Sequence, residues 1–258
     1  MENPLKDLWA EGGVAHGGWL SVPSTATAEA MGRVGFDYLC IDMQHGLSDY
    51  QVAVTMFQTL DMSPTPTICR VPWNEPGIIG RMLDAGAMAV IIPMVNTVAE
   101  AEQATRACRY APDGSRSWGP IRAGALHQGY SPARANAGVA CIPMIETRQA
   151  VESIDDILRV PGIDAIYVGP ADLSVSLGLP PASDNDGEFA EAIDTILAAC
   201  DRHGVVPGIH TTPGLAPKRR GQGFRMMTVT ADAGALAAGA KLHLDQGRGD
   251  GGADGNMY

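Results

Sequence analysis

Short apolar runs alternate with amphipathic, helix-like stretches along almost the whole chain, and the alternation repeats eight times. A parallel strand buried on both faces reads as a nearly continuous apolar run, and reaching the next parallel strand takes a crossover helix. The runs fall at residues 17–22, 36–42, 65–71, 88–95, 139–145, 163–168, 205–210 and 226–229. Helical stretches follow at 24–34, 48–60, 76–85, 97–108, 147–158, 188–203 and 231–244, with Ser24 placed as an N-cap and Pro76 in a first turn. Eight repeats with no change of composition midway predict one (β/α)8 TIM barrel over residues 1–244, and the lack of a GxGxxG turn argues against a doubly wound sheet. Two segments break the rhythm. Residues 110–130, with Trp118 and Arg122, form a long Gly-rich excursion of the kind often used as a lid or binding loop, and a short helix is expected after it at 131–137. The polar, Gly- and Asp-rich tail at 245–258 is expected to be disordered.

Composition narrows the function classes. Apolar residues make up 45% of the 258 positions but aromatics only 5%, so the core must be built from aliphatic side chains, as barrel interiors usually are. A net charge of −11 excludes nucleic acid and anionic membrane as partners, because both need a basic surface. No apolar run approaches the roughly 18 residues of a membrane span, and the first ten residues hold no signal core, so a cytoplasmic protein is expected. The five cysteines are scattered without a CxxC pair and read as buried thiols rather than a disulfide or zinc site.

In a barrel enzyme the chemistry lies where strands run into the loops that precede helices. The polar residues at those ends are Asp42 and His45 after the second strand, Arg70 after the third, Glu146 after the fifth, Asp172 after the sixth and His210 after the seventh. Glu146 and Asp172 stand one strand-to-strand repeat apart, so they should project side by side. Two uncompensated carboxylates repel each other, and a hard divalent cation resolves the conflict. The competing explanation is that each caps its following helix, although Thr147 is a better cap than Glu146. The turn Gly169-Pro170-Ala171-Asp172 leaves backbone N–H groups open to a carboxylate, or is merely a tight connection. Arg70 suits an anionic ligand or a structural ion pair, and His45, three residues past Asp42, suits a general base oriented by a nearby acid or a plain surface histidine. His210 has no motif around it. None of the three lysines, Lys6, Lys218 and Lys241, falls at a strand end, which disfavours Schiff-base chemistry and leaves metal-assisted enolisation.

The ordered segments Gly35-Phe36-Asp37-Tyr38-Leu39-Cys40-Ile41-Asp42-Met43-Gln44-His45-Gly46, Cys69-Arg70-Val71-Pro72, Leu83-Asp84-Ala85-Gly86-Ala87, Ile92-Pro93-Met94-Val95, Met144-Ile145-Glu146-Thr147 and Gly169-Pro170-Ala171-Asp172-Leu173-Ser174 resemble the HpcH/HpaI aldolase family. That resemblance implies a barrel of the phosphoenolpyruvate/pyruvate superfamily and a class II aldolase that splits a 4-hydroxy-2-oxo acid into pyruvate, or a related 2-oxo acid, and an aldehyde. It also implies one divalent ion per subunit (Mg²⁺, Mn²⁺ or Co²⁺) and a homohexamer with exchanged C-terminal helices. By position Glu146 and Asp172 match the metal ligands, Arg70 the transition-state-stabilising arginine and His45 the general base. Asp84 matches an acid that raises the basicity of that histidine, and Gly169, Pro170, Ala171 and Asp172 the substrate-carboxylate turn. Relatives carry Gly-Glu-His or Thr-Glu-His where this chain has Met43-Gln44-His45, and a substrate-contacting Gln where Met144 stands. An acyl-CoA lyase of the malyl-CoA or citrate type is the nearest rival, disfavoured by the acidic surface. A non-catalytic barrel subunit is the rival of another class.

Overall fold

The computed structural model describes residues 1–249. Its first half runs α1 (Pro4–Ala10), β1 (Ala15–Leu20), α2 (Thr25–Gly32), β2 (Tyr38–Asp42), α3 (Tyr50–Leu60), β3 (Thr67–Arg70), α4 (Pro76–Asp84), β4 (Ala89–Ile92) and α5 (Val98–Cys108). There follow α6 (Ile121–Leu126), α7 (Pro132–Gly138), β5 (Ala140–Ile145), α8 (Arg148–Glu152), α9 (Ile154–Leu158), β6 (Ala165–Val168) and α10 (Pro170–Ser176). The last elements are α11 (Glu188–His203), β7 (Val206–His210), α12 (Ala216–Gln222), β8 (Met226–Ala231) and α13 (Asp232–Gly247). Each strand pairs in parallel with the next, and β8 returns to β1, so the eight strands close into a barrel.

Strand alternation divides the core in two. Leu39, Ile41, Cys69, Val90, Ile92, Cys141, Ile166, Val168 and Ile209 face outward and pack with the apolar stripes of the helices. Tyr38, Cys40, Ile68, Ala89, Ile91, Ala140, Ile142, Ala165, Tyr167 and Met226 fill the interior. Gly17 on β1 makes room for the largest of these, since a Cβ there would lie 2.1 Å from the Tyr38 ring. Leu5 and Trp9 of α1 join the interior cluster, and the Asn3 side chain donates to the carbonyls of Met88 and Gly138 at 2.9 and 2.7 Å. Helix α1, which the apolar rhythm does not announce, therefore closes the base of the barrel.

Helix starts follow the expected chemistry. Ser24 caps α2, Thr97 and Glu100 form a reciprocal capping box on α5, and Thr147 caps α8. The helix expected over 147–158 is broken at Ser153 into α8 and α9. Helix α13 runs to Gly247, so the start of the expected disordered tail is helical, and residues 250–258 of it lie outside the described residues. All five cysteines are buried free thiols, and no described helix is long and apolar enough to cross a membrane.

The excursion at 110–130 lies where its role as a lid over this chain's own mouth is ruled out. It leaves the end of α5 and leads to the start of β5, so it sits at the base of the barrel, opposite the loops that follow the strands. There Tyr110, Trp118 and Tyr130 pack ring against ring, with the Arg116 guanidinium 4.3 Å from the Tyr110 ring centre.

Candidate active site

Apart from the hydroxyls of Tyr38, Tyr167 and Thr228, the interior is apolar until the last inward-facing residues of the strands. There Trp19 (β1), Asp42 (β2), Arg70 (β3), Met144 (β5) and His210 (β7) form a mostly polar rim. Arg70 grips Asp42 with both ends of its fork, Nε to Oδ1 at 2.9 Å and Nη2 to Oδ2 at 2.7 Å. Its guanidinium also lies 5.1 Å from the Trp19 ring centre. Burial pushes the Asp42 carboxyl up, but the hydrogen bonds and charge of Arg70 outweigh burial and hold it below the usual carboxylate range. Asp42 further accepts the backbone N–H groups of Gln44 at 3.0 Å and His45 at 3.4 Å, shaping the loop that carries the histidine. Asp42 thus orients Arg70 and the loop backbone. No hydrogen bond joins Asp42 to the His45 imidazole among the described residues. His45 itself is exposed beyond the rim, and its ring makes no hydrogen bond among the described residues.

Glu146 is only 2% exposed, yet among the described residues no cation pairs with it. Its Oε1 accepts the Met94 backbone N–H at 2.8 Å, and Met94 holds the left-handed φ of 56° that aims this donor. Its Oε2 occupies the space beside Gly169, where a Cβ would come within 2.3 Å. Thr147, not Glu146, caps α8, so the capping explanation for Glu146 fails. Burial raises the Glu146 carboxyl to about 7; the Met94 N–H opposes this, Asp172 adds to it and Arg70 opposes it.

Asp172 sits in the first turn of α10, exposed and making no hydrogen bond to the described chain. Gly169 and Pro170 start that helix without a side-chain cap, so the N–H groups of Ala171 and Asp172 stay open. Glu146 on the loop after β5 and Asp172 at the start of α10 thus lie at the same end of the barrel, near enough for the Asp172 charge to act on Glu146. Among the described residues no group of three or more His, Cys, Asp or Glu is placed to hold a metal. A pair of carboxylates suits an ion that keeps positions for water and substrate, as Mg²⁺ does. The buried, unpaired Glu146 and the space that Gly169 leaves for it fit such an ion.

Asp84 is not brought to His45 within one chain. It ends α4 at the base of the barrel, where Arg116 Nη2 donates to it at 2.7 Å. Helix α4 runs back from the mouth, which carries its last residue to the far end. Met144 is 2% exposed and points into the interior beneath Gly169. The lysines are elsewhere: Lys6 binds Asp164, Lys218 binds Asp184 and Lys241 binds Asp245. A cavity of about 730 Å³ also lies at the base, lined by Met1, Phe57, Gly86 and Met88, and none of the strand-end residues borders it.

Two contributors escape sequence reasoning. Trp19 carries the signal of a large side chain at the last inward position of β1, two residues beyond Gly17. Met94 carries none, since its role lies in backbone conformation.

The HpcH/HpaI aldolase/citrate lyase family model matches residues 16–238. The chain is 37% identical over 253 residues to a hydroxypyruvate/pyruvate aldolase of Rhizorhabdus wittichii, covering 95% of this chain and 99% of the relative. It is 34% identical over 245 residues to a 4-hydroxy-2-oxo-heptane-1,7-dioate aldolase of Salmonella dublin, covering 93% of each. A solved HpcH/HpaI aldolase/citrate lyase family protein from Burkholderia cenocepacia superposes with a TM-score of 0.89 at 33% identity, covering 95% of this chain and 99% of that one. With a barrel closed in the order the repeats predict and two carboxylates at the mouth, the chain belongs to the HpcH/HpaI aldolase/citrate lyase family.

Proposed function

We propose that the protein is a divalent-metal-dependent aldolase that cleaves a 4-hydroxy-2-oxo acid to pyruvate, or a related 2-oxo acid, and an aldehyde, and runs the reverse addition. The observation that carries this reading is Glu146, a buried carboxylate with no cationic partner among the described residues, near the exposed Asp172 and the open N–H groups of α10. Glu146 and Asp172 would hold the ion. When bound, a divalent cation there supplies Lewis acidity toward the 2-oxo and carboxylate oxygens.

The chain's own groups divide the remaining work. The Ala171 and Asp172 N–H groups receive the substrate carboxylate. His45 takes the proton of the 4-hydroxyl as the C3–C4 bond breaks. Arg70, held rigid by Asp42 and Trp19, presents its guanidinium to the oxygen that gains charge in the enolate. Asp84 reaches a His45 only in a neighbouring copy, mouth to base, which an oligomer supplies. Exposed Leu236, Leu242 and Leu244 on α13 support such an assembly, in line with the hexamer and exchanged helices that the resemblance implies.

The deciding experiment follows pyruvate release from a panel of 4-hydroxy-2-oxo acids before and after EDTA, with Mg²⁺, Mn²⁺ or Co²⁺ restored in turn. Activity should vanish on stripping and return with one of the ions. Undiminished turnover by fully stripped enzyme sinks the metal role, and turnover of a CoA thioester instead sinks the aldolase reading.

A further inference from the structure

The last inward-facing residues of the odd-numbered strands, Trp19, Arg70, Met144 and His210, make up the layer on which anything bound at the mouth must rest. Three have evident tasks or none to offer. Arg70 is committed to Asp42, Trp19 packs against the guanidinium, and Met144 has no conventional hydrogen-bonding group. His210 remains. Its ring stands edge-on to Trp19, with centres 5.2 Å apart and planes at 89°, on the indole that also meets Arg70.

The ring is held from behind. Nδ1 lies 3.4 Å from the Tyr167 hydroxyl, which itself donates to Thr228 Oγ1 at 2.6 Å, and Tyr38 meets that same Oγ1 at 2.9 Å. With its proton given to Thr228, the Tyr167 oxygen is left to accept, so Nδ1 carries the ring proton and Nε2 a lone pair. Nε2 has no protein partner among the described residues, and the ring is half-buried rather than sealed. Burial first, and the Arg70 charge second, lower the histidine to about 4 against the opposing pull of Asp42, so the ring is neutral near pH 7.

We propose that His210 is a specificity-determining residue of the aldolase site, whose free ring nitrogen hydrogen-bonds a hydroxyl group of the bound substrate. The inference rests on the aldolase reading above. A neutral ring nitrogen with a lone pair repels a carboxylate oxygen and gains nothing from a methyl group, whereas an O–H donor satisfies it. The hydroxyl has two sources, C3 of a hydroxylated 2-oxo acid or a hydroxylated aldehyde.

The test compares kcat/KM for 3-hydroxypyruvate against pyruvate with one aldehyde, and for glycolaldehyde against acetaldehyde with pyruvate. Wild type, His210→Phe, His210→Leu and His210→Gln are measured, with the fold of each checked by circular dichroism. Phe keeps a ring against Trp19 without a nitrogen, Leu is a second apolar variant, and Gln restores a polar group. The apolar variants should lower the hydroxylated-to-plain ratio about tenfold in one arm, which names the source, and Gln should recover most of it. Ratios unchanged in both arms, even with lower absolute rates, overturn the proposal, as does a Gln variant no better than Phe. Calorimetric binding of 3-hydroxypyruvate and pyruvate with Mg²⁺ present reads the first arm without turnover. A wild type that favours the hydroxylated acid through His210 yet forms no aldol product would sink the aldolase reading and leave hydroxyl recognition standing; equal binding ratios in wild type and the apolar variants, with no turnover, would sink both.

Discussion

Arg70 shows how one side chain serves structure and chemistry together. It neutralises Asp42, which is 2% exposed, and a buried ion pair broken on one side costs several kcal/mol, about 3–5, through the charge left behind. Arg70→Ala should lower kcat by about 10²–10³-fold while Mg²⁺ or Mn²⁺ affinity, read by calorimetry, moves only a few-fold. Arg70→Lys should regain stability, by keeping a charge for Asp42, but little of the rate, because an ammonium lacks the two-pronged grip. Metal binding lost with kcat preserved would make Arg70 purely structural. At this scale the sequence was informative where chemistry follows from a residue's type and its place at a strand end, as for Glu146, Asp172 and Arg70. It was silent where the contribution is conformational. The φ of Met94 and the contact of Gly169 with Glu146 depend on chain paths 52 and 23 residues away from that glutamate, which no local pattern encodes.

Among elements, strands and long helices were legible because burial on two faces and capping leave local marks. The capping box on α5 is one such mark, and it lies in the β4–α5 connection at the mouth, three residues past Met94. Thr97→Ala should cost about 1 kcal/mol and lower Tm by about 2–4 °C in a thermal melt. A larger loss would mean that Thr97 supports more than its own helix. Helix α1 was not legible, because seven residues are too few for a periodic signal and its two anchoring residues, Leu5 and Trp9, bury against strands distant in sequence. The excursion at 110–130 was recognised as unusual, but its composition did not say at which end of the barrel it lies. Its true location follows from connectivity: it joins a helix to the next strand, and only connections from strand to helix border the mouth.

For the whole molecule, two consequences can be measured. The folded Glu146 carboxyl, at about 7, lies above the ordinary 4.5, so the metal-free native state holds more protons than the unfolded chain between those values. Stability of the EDTA-treated protein should therefore fall as pH rises through that window, by about 3 kcal/mol at most, and a saturating divalent ion should abolish the decline. Urea unfolding at pH 5 and pH 8 checks it, with Glu146→Gln as the control that should show no such slope. The second consequence concerns assembly. If Asp84 serves the His45 of another copy, then His45→Gln and Asp84→Asn chains, each impaired alone, should recover activity when co-assembled, since a mixed contact unites an intact histidine with an intact aspartate. Mixtures no more active than the sum of their parts would place Asp84 outside the reaction.

The closed base of the barrel has a stereochemical corollary. Leu5 and Trp9 of α1 pack into the interior cluster, so side chains fill the barrel from below. In the proposed reaction an enolate held at the mouth would rest with one face on Trp19, Arg70, Met144 and His210 and turn the other to the solvent. Protons then arrive from a single side, and a pyruvate methyl group assembled from three hydrogen isotopes would leave the enzyme with one handedness.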